Sequence, residues 1–341
     1  MTNFKIITIA FLAASTLTTY SSVFSQGSVA ANTDAQARKA WRETIGHVAL
    51  PKKGACYHAS YPSSEWREVN CIIAPNRPFA QWLPNENKIK SMAAAANGQI
   101  QTVGNSVDYV AKVQGLIGTA AGQFAPSNVT TETGAAGAND YSLQLNSNFM
   151  NTAVCSGHPN CLAWQQYVYS SGEQALFIQY WLLNYGTCPS GWNTYSSDCW
   201  KNSSAVAVPT FPITELSSLA LWAGAATDTD TILLTTGSFP GGGDASYSFT
   251  APDSVLDLAT GWNEAEYNIF GDGGGSAATF NSGASIGVSI QMREQGSSQT
   301  SPTCLSNAGT TGETNNLSLV GACAAGILTN TNPYISFTES N

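Results

Sequence analysis

The chain has 341 residues, 43% of them apolar and only 10% charged, with 31 glycines and a net charge of −9. That length allows one large β domain or two ordinary domains, and the charged share is less than half the usual one. Charge is divided unevenly: residues 1–112 hold 11 Lys or Arg against 6 Asp or Glu, whereas residues 113–341 hold only Lys201 and Arg293 against 16 acids. A body so poor in cations excludes nucleic-acid binding, because nothing would neutralise phosphates. The asymmetry suggests a basic leader resting on an acidic body, whose self-repulsion falls as carboxylates protonate near about pH 4.

The first 25 residues carry one Lys, then an apolar run, then small polar residues, the pattern of a secretory signal peptide. The run is shorter than the roughly 20 apolar residues a membrane span needs, and no later segment reaches that length. An exported protein without a span is expected, acting as a monomer. Residues 26–97 read as a basic leader or N-terminal extension and residues 98–341 as the main domain. Within the extension, Ala37, Trp41, Ile45 and Val48 recur at helical spacing, with Asp34 as the cap, which predicts one helix over 34–48. Prolines at 75, 78 and 84 predict an irregular linker, followed by a short helix over 88–96.

From residue 99 the pattern turns to β. Tyr141, Leu143 and Leu145 alternate with Ser142, Gln144 and Asn146, and residues 164–169 and 175–185 follow as strands. The stretch 115–126 is rich in Gly and Ala and has no clear assignment, and 213–222 fits a helix or a strand. Runs over 231–235, 246–250, 265–270, 286–292, 317–320 and 335–337 bring the count to roughly ten strands, with a glycine turn at 241–244 joining two of them as a hairpin. Many strands, few helix signals and abundant glycine predict a mainly β protein, an antiparallel β-sandwich preceded by a short helical segment.

The eight cysteines fall into four local pairs, Cys56–Cys71, Cys155–Cys161, Cys188–Cys199 and Cys304–Cys323. An even number behind a signal peptide indicates disulfides made outside the cytosol. No CxxC is present and the three histidines are not at ligand spacing, so zinc is not expected. Asp228, Asp230 and Asp244 lack the register of a calcium loop. Neither a metal nor another cofactor is expected.

Two stretches carry the candidate chemistry. Residues 175–185, ALFIQYWLLNY, form the most apolar run, and strand alternation places Phe177, Gln179, Trp181 and Leu183 on one face. Residues 261–272, GWNEAEYNIFGD, place Trp262, Glu264, Glu266 and Asn268 on one face. A desolvated strand amide must be hydrogen-bonded, either to neighbouring backbone or to a developing oxyanion. Two adjacent carboxylates suit general acid/base work at acidic pH, with Glu266 preferred because it lies deeper from the Gly261 turn.

The order of Trp164-Gln165-Gln166-Tyr167-Val168, then Leu176-Phe177-Ile178-Gln179-Tyr180-Trp181, a loop bracketed by Cys188 and Cys199, and a late Trp262–Glu266 strand resembles the neprosin-type secreted proteins and, more broadly, the glutamic peptidases. The chain is also similar to uncharacterised secreted bacterial proteins. The peptidase resemblance covers roughly residues 140–290. It implies a concanavalin-like β-sandwich and an acid-optimal endopeptidase, often behind a pro-segment. The resemblance implies a Glu/Glu or a Gln/Glu pair; a Glu/Glu pair would need an acid near the first Trp-Gln strand, where Asn160, Cys161 and Leu162 stand, whereas a Gln179–Glu266 pair would not. In that reading Glu266 is the base on water, Gln179 polarises the scissile carbonyl, Glu264 tunes the base, and the partner is a protein or peptide substrate. The alternative is a carbohydrate- or surface-binding module without catalysis, in which Trp192, Tyr195, Trp200 and Trp222 stack on glycans and the glycine turn helps a cation site.

Overall fold

The computed structural model describes residues 22–79, 108–237, 243–296, 299–306, 314–328 and 332–341. The signal segment up to residue 21, the helix expected over 88–96 and the tip of the glycine turn at 241–242 lie outside the described residues. Among the described residues the chain is dominated by strands, which form two large antiparallel sheets and one small sheet.

Sheet I runs in the order Arg67–Val69, Cys56–Ser60, Ala245–Ala251, Thr229–Thr236, Ala220–Ala226, Ile117–Phe124, Ser285–Glu294, Pro333–Ser340 and Ser318–Ile327. Sheet II runs Asn193–Tyr195, Asp198–Ala207, Ala175–Leu183, Leu162–Ser170, Tyr141–Ser147, Glu264–Gly271, Tyr109–Lys112 and Thr303–Ser306, with Ile72–Ile73 paired to Asp198–Ala207. The small sheet joins Thr314–Asn315, Ala277–Phe280, Glu132–Gly134 and Gly137–Ala138. The sandwich expected from the sequence is therefore present, with more strands than hydrophobic alternation marks out and most of the marked ones running longer. All four expected disulfides are formed.

Alternation decides what fills the space between the large sheets. Tyr141, Leu143 and Leu145, then Tyr167 and Tyr169, then Leu176, Ile178 and Tyr180 point inward from sheet II. They meet Leu221, Ile232, Leu234, Phe249, Val288, Ile290 and Phe337 from sheet I in one continuous core. Three of the inward tyrosines pair their hydroxyls, Tyr167 donating to Gly224 O at 3.1 Å, Tyr141 to Phe211 O at 2.9 Å and Tyr169 to Pro209 O at 2.9 Å, whereas the buried Tyr180 hydroxyl has no hydrogen-bond partner among the described residues. The unassigned Gly/Ala stretch is the strand Ile117–Phe124, central in sheet I between Ala220–Ala226 and Ser285–Glu294. Its small residues have a physical reason: a Cβ on Gly122 would lie 2.0 Å from Cγ of Tyr267 across the sandwich. The ambiguous 213–222 resolves into a 3-10 turn, Ile213–Ser218, leading into Ala220–Ala226.

The N-terminal helix spans Ser22–Ile45, longer at its start than the expected one and shorter at its end. Asp34 lies inside the helix, where its carboxylate accepts from Arg38 Nε one turn on at 2.7 Å, so it is not the cap. Trp41 and Ile45 pack with Ala55, Tyr57, Trp66 and Leu233, while Ala37 is exposed. The extension is stitched into the sandwich: Cys56–Ser60 pairs along its length with Ala245–Ala251. Its cations meet acids of the body, Arg38 and Arg42 on Asp244 and Lys53 on Asp228.

The Gly122 contact gives a direct test of how closely the sheets approach. Gly122→Ala forces either Tyr267 or the strand to move and should cost about 3 kcal/mol in a urea or guanidinium titration. Gly46→Ala, where no atom stands within 4 Å of the added carbon, should change stability by no more than about 0.5 kcal/mol.

Candidate functional site

The outward face of sheet II, away from the core, is unusual in being polar and yet buried. Cross-strand register places Glu266 opposite Asn146, Asn146 opposite Gln166, Gln166 opposite Gln179 and Gln179 opposite Asn202. Residues directly opposite in a sheet share a face, so these five side chains form one row across five strands. Glu266, Asn146, Gln166 and Gln179 are all fully buried. A second row, Trp164, Trp181 and Trp200, runs beside it and packs with Phe149, Leu162 and Leu183.

Desolvated amides need partners, and the row's hydrogen bonds supply them. The Trp181 indole N–H forks between Gln166 Oε1 at 2.9 Å and Gln179 Oε1 at 3.1 Å. Gln166 Nε2 donates to Gln144 Oε1, Gln144 Nε2 to Ser142 Oγ, and Ser142 Oγ to Gly271 O, each within 2.8–2.9 Å. Asn146 Nδ2 donates to Glu266 Oε2 at 2.9 Å. Two buried polar atoms beside them, Asn146 Oδ1 and Trp164 Nε1, have no hydrogen-bond partner among the described residues.

Gln179 is fully engaged, with two backbone and two side-chain partners, one of them the Trp181 indole. Its Oε1 accepts from Phe79 N at 2.7 Å, and its Nε2 donates to Arg77 O at 3.1 Å and to Asn202 Oδ1 at 2.7 Å. Asn202 Nδ2 in turn donates to Pro75 O. A strap, residues 74–79, thus leaves the short Ile72–Ile73 strand and crosses the face from Asn202 to Gln179. Gln179 and Glu266 share the row but stand three strands apart, about 14 Å at the backbone. Asn146 and Gln166 fill the space between them.

Glu264 is buried, and its Oε1 accepts from Lys112 Nζ at 2.6 Å, its partner across the strand pair. Trp262 departs from the expected face. The strand begins only at Glu264, and the preceding turn, where Trp262 N donates to Leu258 O, carries the indole into the inter-sheet core against Tyr167. The three aspartates considered for calcium do not converge. Asp228 pairs with Lys53, Asp244 with Arg38 and Arg42, and Asp230 accepts from Gln165 inside the sandwich. Among the described residues no group of three His, Cys, Asp or Glu is placed to hold a metal. Of the tryptophans considered for glycans, Trp200 is buried, Trp192 lies under the Lys201 ammonium, 4.6 Å from the ring centre, and Trp222 is half-buried.

Sequence reasoning missed the residues that complete the row. Ser142, Gln144 and Asn146 read as a solvated strand face because they alternate with apolar residues. Gln166 is adjacent to Gln165, which points inward to Asp230, and the pair gives no sign of which side each faces. A further group lies at the end of sheet II. Asp272 Oδ2 accepts from Ser170 Oγ at 2.9 Å and Gly172 N at 3.0 Å and pairs with Arg77 at 3.3 Å. Burial pushes its carboxyl up to about 7, against the opposing pulls of the Ser170 hydrogen bond and Arg77. Burial likewise raises Glu132 to about 7, and Asp230 and Glu339 well above the ordinary carboxylate range.

These shifts have one sign. A carboxyl whose pKa is higher folded than unfolded binds its proton more tightly in the folded state. Its stabilisation is complete below about pH 4 and is lost as pH rises through 7. Thermal unfolding should therefore show a higher Tm at pH 4.5 than at pH 8, by on the order of 5 °C, and Asp272→Asn should remove part of that slope. No family model, no curated protein and no solved structure matches this chain, so the meaning of the buried row rests on its own geometry.

Proposed function

We propose that this protein is an exported hydrolase of polypeptides, active at acidic pH, whose site is the polar row on sheet II. The observation that carries the reading is the strap: a stretch of main chain lies over the row with a backbone carbonyl on Gln179 Nε2 and a backbone N–H on Gln179 Oε1. A side-chain amide that satisfies both groups of a peptide backbone is a main-chain clamp. A carbonyl that accepts from it is polarised in the same sense as a scissile carbonyl.

In this reading Glu266 is the general base. Asn146 orients the carboxylate, which takes a proton from water as the water oxygen bonds to the carbonyl carbon. The tetrahedral oxyanion accepts from a row amide, and the same proton then passes from Glu266 to the departing amine. Gln179 and Glu266 are too far apart to hold one water between them. Gln179 therefore clamps and polarises the chain, and Gln166, one strand closer to Glu266, is the amide placed to serve the reacting carbonyl. Glu264, held by Lys112, adds fixed negative charge beside the base. The Trp164–Trp181–Trp200 row walls the site and keeps its dielectric low. Four disulfides suit an extracellular setting, and an acidic body relieved by protonation suits an acidic one.

The test is hydrolysis of unfolded protein, such as casein, between pH 3 and pH 5, by wild type and Glu266→Gln after strap release by limited proteolysis. The wild type should cleave, and Glu266→Gln should lose on the order of 100-fold or more of the rate. Equal activity in the two, or none in either, overturns the reading.

A further inference from the structure

The strap does more than cover the row: it displays what the row can hold. Its backbone is read at three points by side-chain amides, Pro75 O by Asn202, Arg77 O and Phe79 N by Gln179. None of these contacts depends on the side chains the strap carries. Two other contacts do. The Phe79 ring is fully buried among Val168, Ala175, Phe177 and Ala205, 5.2 Å from the Phe177 ring in an edge-on arrangement. The Arg77 guanidinium lies over the Phe79 ring at 5.0 Å and reaches Glu173 Oε1 at 3.1 Å and Asp272 Oδ2 at 3.3 Å.

The acidic pocket is built by the backbone around it. Gly172 gives its N–H to Asp272, and a Cβ there would lie 2.3 Å from Asp140 Oδ1 and 2.5 Å from Asp272 Oδ2. Gly273, at φ +79°, passes the guanidinium so closely that a Cβ would lie 3.1 Å from Arg77 Cζ. Gly273 is therefore one wall of a slot for a planar cation. One oxygen of this buried carboxylate, Asp272 Oδ1, has no hydrogen-bond partner among the described residues. Such a slot requires close backbone approach that only glycine permits.

We infer that this face is a recognition groove for extended polypeptide, selective for a basic residue two positions before an aromatic one, and that residues 74–79 are its tethered occupant. Asn202 and Gln179 supply sequence-independent grip. The Glu173–Asp272 slot takes the cation, and the Val168–Ala175–Phe177–Ala205 pocket takes the ring. Beside the strap lies an open cleft bounded by the strap's own Asn76 and by Gly191, Trp200 and Ser204. A free ligand must displace the strap, so the full chain binds weakly in trans until the strap is loosened. This inference uses the same face as the proposed hydrolase, but its readout is binding. A protein that binds peptide and cleaves nothing supports the groove and ends only the hydrolase reading.

The probe is the blocked peptide Ala-Pro-Asn-Arg-Pro-Phe, followed by calorimetry or tryptophan fluorescence with the full chain. Arg77→Ala combined with Phe79→Ala empties both pockets. That variant should bind the peptide at least about ten-fold more tightly than wild type does. It should also bind about ten-fold more tightly than it binds the same peptide with glutamate in place of arginine. Adding Glu173→Gln and Asp272→Asn should abolish that discrimination while leaving main-chain binding. No binding by the folded variant, or equal binding of both peptides, overturns the inference. Should the variant not fold, hydrogen exchange on the otherwise intact chain decides the matter. The Phe79 amide should exchange about ten-fold faster in Glu173→Gln/Asp272→Asn than in wild type, and an unchanged rate overturns it.

Discussion

A row of amides cannot be buried on the face of a sheet unless something supplies it with hydrogen bonds. On sheet II the cost of leaving one such group unpaired is about 1–3 kcal/mol, and five strands contribute to the row at once. Neighbouring side chains settle part of it: the Trp181 indole serves two glutamines, and Gln166, Gln144 and Ser142 pass their donors down to Gly271 O. Gln179 and Asn202 bond to each other and complete their hydrogen bonds on the backbone of residues 75–79. The strap lies where it does because the row needs it there. An apolar face would have been cheaper to bury, which makes the retention of five polar residues the most telling feature of the fold.

The two faces of sheet II show how one strand serves both ends. In Ala175–Leu183 the inward residues Leu176, Ile178, Tyr180 and Leu182 belong to the sandwich core. The outward residues Phe177, Gln179, Trp181 and Leu183 build the aromatic pocket, the clamp and the wall. Leu162–Ser170 divides in the same way, Gln165 inward to Asp230 and Gln166 outward to the row. A register slip of one residue would exchange every one of these roles, so the groove is held in place by the packing of the opposite face. Gly122 against Tyr267 fixes how near that packing can come.

Much of this was legible in the sequence, for reasons that differ by feature. The disulfides were, because local pairs close short loops, and so were the strands with clean apolar alternation. The face carrying Gln179 and Trp181 was fixed by period two alone. The partner of Gln179 was not, because strand order is a matter of topology. Glu264–Gly271 lies beside Tyr141–Ser147, and only that order puts Asn146 and Gln166 between glutamate and clamp. Ser142, Gln144 and Asn146 have the alternation of a solvated face, and nothing local signals that they are buried. The irregular, proline-marked linker was recognised as irregular, but irregular backbone carries unpaired carbonyls and N–H groups, and those are what Gln179 and Asn202 hold. Trp262 leaves that face because its strand starts only at Glu264, and alternation does not carry back through the preceding turn.

The uneven charge of the chain now has a structural meaning, and it pulls in two directions with pH. The cations of the N-terminal part are distributed onto acids of the body: Arg38 and Arg42 on Asp244, Lys53 on Asp228, Arg77 on Glu173 and Asp272. Inside the body, buried carboxyls raised by desolvation favour the protonated state, so acid strengthens the sandwich. The contact at the strap responds oppositely. Asp272 carries its full charge only above about 7, and as it takes up a proton Arg77 keeps Glu173, which is far more exposed and screened by solvent. The main-chain bonds to Gln179 and Asn202 carry no titrating group and do not change. Acidification therefore leaves the main-chain grip and the Phe79 pocket intact, tightens the scaffold beneath, and weakens the cation contact of whatever segment occupies the slot. A groove arranged in this way exchanges its occupant most readily under the conditions in which its scaffold is most stable.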